Sequence, residues 1–246
     1  GRAFARLADQ IDGIDAPLLP AVGRGFDPIA IGEAVMQASG VAVQHGGTRA
    51  YYLPGADTIT LPAGTYTLTL TGADENDAFS GDLDISDAAN GLLTINGAGT
   101  RTTIIDGNGT DRIFHLKASD GDLALSGMTL QNGDAQGSDG GAILNVDNTV
   151  TLTDVRLTGN TANRGGAVFV STGDAQLDVN RALFDNNTAS EGGAIFGTDP
   201  GIRLNITNAT LSGNTGSARG GAVYVDHVAL VNSTIAGNTS PAAAGV

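Results

Sequence analysis

The chain of 246 residues has no cysteine, no tryptophan, only 4% aromatic residues and a single lysine, Lys117. Without cysteine there is no disulfide scaffold, which suits a reducing compartment or an exported protein held together by repetition. So few rings mean that the core is built from small aliphatic side chains, and a hydrophobic content of 41% is enough to form one. No apolar run reaches the roughly 18 residues of a membrane-spanning helix, so direct membrane insertion is not expected. Residues 1 to 30 also lack a basic-then-apolar signal peptide, and an exported chain would have lost its leader already.

Glycine and aspartate are abundant. The 37 glycines accompany 26 acidic residues, of which only Glu33, Glu75 and Glu191 are glutamate, and the net charge is −14. Aspartate favours turns and caps where glutamate favours helices, so the acidic excess sits as a turn-rich all-β chain would place it. Such a surface repels nucleic acid and makes divalent cations plausible companions.

The second half repeats. Gly140-Gly141-Ala142-Ile143, Gly165-Gly166-Ala167-Val168, Gly192-Gly193-Ala194-Ile195 and Gly220-Gly221-Ala222-Val223 recur at spacings of 25, 27 and 28. In step with them run Leu157-Thr158-Gly159-Asn160, Phe184-Asp185-Asn186-Asn187, Leu211-Ser212-Gly213-Asn214 and Ile235-Ala236-Gly237-Asn238. Between the marks, segments such as Val150 to Val155 and Ile202 to Ile206 alternate apolar and polar residues, the period of a strand. No unit has room for a helix of ten residues. The pattern predicts an all-β, right-handed, single-stranded parallel β-helix in which each coil holds three short strands and stacks on the next. At each corner the Gly-Gly pair supplies backbone angles closed to other residues, and leaves no side chain where corners pile up. Asn160, Asn187, Asn214 and Asn238 are expected to form a ladder.

Upstream, residues 56 to 70 read as a strand, a Pro-Gly turn and a second strand, Thr67 to Leu70, and residues 92 to 116 as a less regular coil. Residues 72 to 90, with Asp74, Glu75, Asp77, Asp82, Asp84 and Asp87, read as an acidic loop thrown out from the stack. Residues 1–50 form a separate segment in which Ile29 to Val43 has helical periodicity and would plug the first coil. Residues 51–246 then form the β-helix, about seven coils in all. The tail, Ser240 to Val246, stops near where the next Gly-Gly corner is due, which leaves an open coil on which other copies are expected to dock head to tail.

Ile31-Gly32-Glu33-Ala34-Val35-Met36-Gln37-Ala38-Ser39, the Asp57 to Tyr66 segment and Asn96-Gly97-Ala98-Gly99 resemble the amino-terminal part of bacterial surface proteins of the CSLREA-domain group. The cysteine of that group is absent here, and Val41 to Leu53 are extra. The Gly-Gly-Ala-Ile and Phe184-Asp185-Asn186-Asn187 marks are similar to the repeats of polymorphic outer-membrane proteins, which are autotransported adhesins. These resemblances imply an extracellular or cell-surface bacterial β-helix, with host or surface glycans or proteins as partners.

Candidate chemistry is sparse. A polysaccharide lyase or glycoside hydrolase needs a base, neutralising cations and acid–base carboxylates. One lysine and eleven scattered arginines offer no cluster of bases, and the acidic pairs Asp82/Asp84 and Asp120/Asp122 lie in turn-like sequence. Asp106, Asn108 and Asp111, in a Gly-rich stretch, are candidate calcium ligands, although the closing glutamate of a calcium loop is missing. His45, His115 and His227 share no metal-binding spacing. Threonines at 65, 67, 69 and 71 and at 149, 151 and 153 suggest an ice- or ligand-binding face as a further alternative. The sequence thus reads as a non-enzymatic structural or adhesive module, without a catalytic residue or an obligatory cofactor.

Overall fold

Alternating apolar residues turn one face of a strand inward but leave both of its backbone edges unpaired, so each strand needs the strand one repeat before it and the strand one repeat after it. The computed structural model describes residues 11–12, 57–69, 71–72, 81–85, 91–117, 121–171 and 173–241, and it supplies both partners. Thr149–Thr158 runs parallel to Asp122–Gln131 on one side, and to Gln176–Asn180 and Leu183–Asp185 on the other. Val150 faces Leu123 and Leu177, and Leu152 faces Leu125 and Val179, with all six side chains buried. The result is an all-β parallel solenoid.

Three walls enclose the core. The first stacks Asp57–Leu61, Leu92–Gly97, Asp122–Gln131, Thr149–Thr158, Gln176–Asn180, Arg203–Thr207 and Val228–Val231 in parallel. The second stacks Gly64–Leu68, Thr103–Asp106, the ends of the two long strands, Leu183–Asp185, Thr210–Ser212 and Thr234–Ala236. The third is narrow and stacks Leu83–Ile85, Phe114–Leu116, Ile143–Asn145, Val168–Val170, Ile195–Gly197 and Val223–Tyr224. Large inward residues such as Tyr66, Phe114 and Phe184 are each at most 1% exposed, and the rest of the core is Leu, Ile, Val, Ala and one Met. Each such aliphatic side chain contributes about 1.5–3 kcal/mol by leaving water, but only once its neighbouring coil is in place.

One left-handed residue makes each bend. Between the first and second walls it is Gly127, Asp154, Arg181, Asn208 or Asn232, with φ of 48–61°. After the second wall it is Asn132, Gly159, Asn186, Gly213 or Gly237, and before the third wall Gly140, Gly165, Gly192 or Gly220. Glycine and asparagine dominate because this backbone region penalises other side chains. Asp154 and Arg181 are the exceptions.

Five turns, each with a strand in all three walls, run from Leu92 to Tyr224, fewer than the seven anticipated. The coil that begins at Asp57 is interrupted by residues outside the described set, and the one that begins at Val228 has two strands and a bridge at Thr239. The plug expected over Ile29 to Val43 lies outside the described residues, and the described residues contain no helix. From the first 50 residues, Ile11–Asp12 pairs antiparallel with Thr67 and Leu68. The upstream strand starts earlier than expected, at Gly64, because Pro62 and Ala63 alone complete the turn. The expected acidic loop over residues 72–90 is corrected in part. Leu83–Ile85 is a strand of the third wall, with Leu83 and Ile85 pointing into the core. Asp74, Glu75, Asp77 and Asp87 of that stretch are outside the described residues, and Asp82 directly precedes the strand.

Candidate functional site

The recurring glycines and asparagines are engaged in stacking. Gly140, Gly165, Gly192 and Gly220 hold φ of 59–69°. Their followers need closeness: a Cβ on Gly141, Gly166 or Gly193 would overlap the carbonyl oxygen of Gly166, Gly193 or Gly221 in the next coil. Inside the second bend, Asn160, Asn187, Asn214 and Asn238 form a continuous ladder. The backbone N–H and the Nδ2 of each donate to the Oδ1 of the next, at 2.8–3.0 Å, from Asn160 to Asn187, Asn187 to Asn214 and Asn214 to Asn238. Nδ2 also donates to the carbonyls of Leu130, Leu157, Phe184 and Leu211.

The outer face of the third wall carries two further columns. Phe169 stacks on Phe196 and Phe196 on Tyr224, with centroids 5.8 and 5.4 Å apart. Beside the rings run Asp139, Arg164, Glu191 and Arg219, one per coil and alternating in sign. Arg164 forms a bidentate pair with Asp139, Arg219 pairs with Glu191, and the guanidiniums of Arg164 and Arg219 each lie 4.8 Å from a ring centroid, at Phe169 and Tyr224. These hydrogen bonds hold both arginines more firmly protonated than usual.

On the outer face of the first wall, Thr94, Ala124, Thr151, Asp178 and Asn205 fall in one column, and Asn96, Ser126, Thr153, Asn180 and Thr207 in the next. They bond along the stack, Ser126 Oγ to Asn96 Oδ1 at 2.6 Å and Asn205 Nδ2 to Asp178 Oδ1 at 2.7 Å. Thr149, Thr151 and Thr153 lie here, but their columns change residue type from coil to coil and are not threonine rows.

Among the described residues, a dense group of buried ionisable side chains sits where the first two coils meet on the third wall. Asp84 is opposite His115 in register, and its Oδ1 lies 3.0 Å from the imidazole Nδ1. Asp82 Oδ2 accepts from Arg112 Nη1 at 2.9 Å, and Asp111 Oδ1 accepts from the Arg112 backbone N–H at 2.7 Å. The exposures of Asp82, Asp84, Asp111, Arg112 and His115 are only 0, 2, 1, 3 and 8%. Asp82 Oδ1 is buried without a hydrogen-bond partner. Burial pushes the Asp82 carboxyl up to about 8, with the Asp84 and Asp111 carboxylates adding to the rise and Arg112 opposing it. One carboxylate oxygen from Asp82, one from Asp84 and one nitrogen of His115 all lie within 4.8 Å of one another.

The candidate calcium residues make separate contacts. Asp106 accepts from the Asn108 backbone N–H, Gln131 Nε2 and Asn132 Nδ2 in the neighbouring coil, whereas Asp111 is buried with Arg112 beside Gly81. Asp120 and His45 lie outside the described residues, Asp122 Oδ1 accepts from the Thr149 backbone N–H, and His227 is exposed. Sequence spacing did not single out His115, because its offset of 31 from Asp84 falls outside the 25–28 repeat. The only sequence signal was the Asp82/Asp84 pair, read there as loop.

Against known proteins, the Chlamydia polymorphic membrane protein repeat matches residues 181–198. The matched stretch runs from the Arg181 bend through Asn187 and the Gly192-Gly193 corner to the third wall. It supports a surface or outer-membrane β-helix. No curated protein and no solved structure matches the chain.

Proposed function

We propose that this chain is a surface-displayed, non-enzymatic solenoid with a structural and adhesive role, binding surface glycans or proteins through the flat outer face of its first wall. The observation that carries this reading is the pair of in-register columns from Thr94 to Asn205 and from Asn96 to Thr207. Hydroxyl, amide and carboxylate groups held on stacked strands are already ordered, so a polar, extended partner meets them at low entropic cost. The interior chemistry is meanwhile taken up by stacking, and the polymorphic membrane protein repeat at 181–198 agrees with display at a surface.

The same reading extends to assembly. Val228–Val231 pairs with Arg203–Thr207 along one edge, and among the described residues its other edge has no strand. Leu230 and Val231 there are 40 and 50% exposed, so a coil from another copy can add to it in parallel. The test is a glycan and protein array probed with the intact chain and with Thr151→Arg/Asn205→Arg. A bound class that the double variant loses, at unchanged melting temperature, is expected. Equal binding by both, or no ligand for the folded chain, would overturn the adhesive role. Negative-stain imaging of the chain and of Val231→Lys reads assembly separately: filaments that the lysine disperses are expected, and single particles at high concentration refute it.

A further inference from the structure

We propose that Asp82, Asp84 and His115 bind one divalent cation of the zinc class, stapling the first coil to the second. Three observations carry this. Two carboxylates and an imidazole present ligand atoms within 4.8 Å of one another, a spacing one ion spans at ordinary metal–ligand lengths of about 2.0–2.2 Å. Asp82 Oδ1 is fully buried and without a hydrogen-bond donor, which is costly for a carboxylate and is relieved by an ion. The third observation is the setting. Asp82, Asp84 and His115 are at most 8% exposed, and His115 adds an imidazole nitrogen, the donor that metals of this class take beside carboxylates.

The donor set selects the ion. An imidazole with only two or three carboxylates in a closed pocket is too nitrogen-rich and too small for calcium, which takes six to eight oxygens, and it suits zinc. The register explains why the ion would matter. Asp84 and His115 belong to adjacent coils, so the metal crosses the coil boundary beside the interrupted acidic stretch of residues 72–90. There, among the described residues, the asparagine ladder of the later coils is not present. A coordinated ion supplies the cross-link that Asn160 to Asn238 provide further along.

The test uses the full chain, stripped with chelator and titrated with Zn²⁺ by calorimetry and elemental analysis, with Ca²⁺ and Mg²⁺ in parallel. One equivalent of Zn²⁺ is expected, micromolar or tighter, with a rise in melting temperature of about 5 °C at saturating metal. Asp84→Asn and His115→Gln should each lose that equivalent. Because either variant could fail to fold, the unsubstituted chain is also followed by NMR, with the imidazoles assigned through His45→Asn and His227→Asn. The His115 resonances should shift at one equivalent while those of exposed His227 stay in place. No stoichiometric uptake by the folded chain, uptake that leaves His115 unmoved, or undiminished uptake by a folded His115→Gln would each overturn the site.

Discussion

Asn187 takes part in five ladder hydrogen bonds that span three coils, and none of these partners can turn to water. Removing its amide in Asn187→Ala orphans the Asn160 donors and the Leu157 carbonyl together, at a cost of about 2–4 kcal/mol. Asn238→Ala, at the half-exposed end of the ladder, should cost about 1 kcal/mol. Urea unfolding of the two variants checks the order, and equal losses would show that the ladder is not cooperative. Arg181 gives the opposite sign. It holds φ of 54°, where asparagine is tolerated far better, and its pair with Asp154 is open to solvent on both sides. Arg181→Asn should therefore raise the melting temperature by about 2 °C. A decrease on calorimetry would mean that the exposed ion pair outweighs the backbone strain.

Among the elements, the second bend holds an ionic contact whose contribution depends on pH. Asp185 is partly buried, which alone would raise its pKa, but Arg156, Thr158 and Asn186 bond its carboxylate and pull it below the ordinary aspartate range. A depressed acid stabilises the fold above its unfolded pKa, and that stability is lost as pH falls through the folded value. Melting curves of the chain and of Asp185→Asn should thus converge as pH falls below about 4, and a gap that persists at pH 2 would refute the assignment. These contacts also mark how far sequence reading reaches. Strand alternation, the Gly-Gly corners and the Asn marks are local or strictly periodic, and the strands lie where alternation put them. Leu83–Ile85 was missed because three residues among aspartates carry too little apolar signal, and its inward Leu83 and Ile85 become visible only when paired with Phe114 and Leu116. The Asp82–Asp84–His115 group was hidden for a related reason, since the insertion between the coils broke the period that would have aligned it.

As a whole molecule the solenoid is one-dimensional: each coil touches only its neighbours, so protection against hydrogen exchange should be highest from Val150 to Leu211 and lower over Val228–Val231, where one edge is unpaired among the described residues. Exchange as slow at Leu230 as at Leu177 would contradict that picture. The Asp139, Arg164, Glu191 and Arg219 column adds something the apolar core cannot. Deleting residues 146–170 would leave Asn145 leading into Ser171 in register and bring Asp139 against Glu191. Asp139→Arg should then raise the melting temperature of the shortened chain while lowering that of the intact one, and the same sign in both would sink the argument. Odd and even coils thus bear opposite marks, a parity check by which a folding chain that skips one rung meets repulsion and one that docks the next rung in order does not.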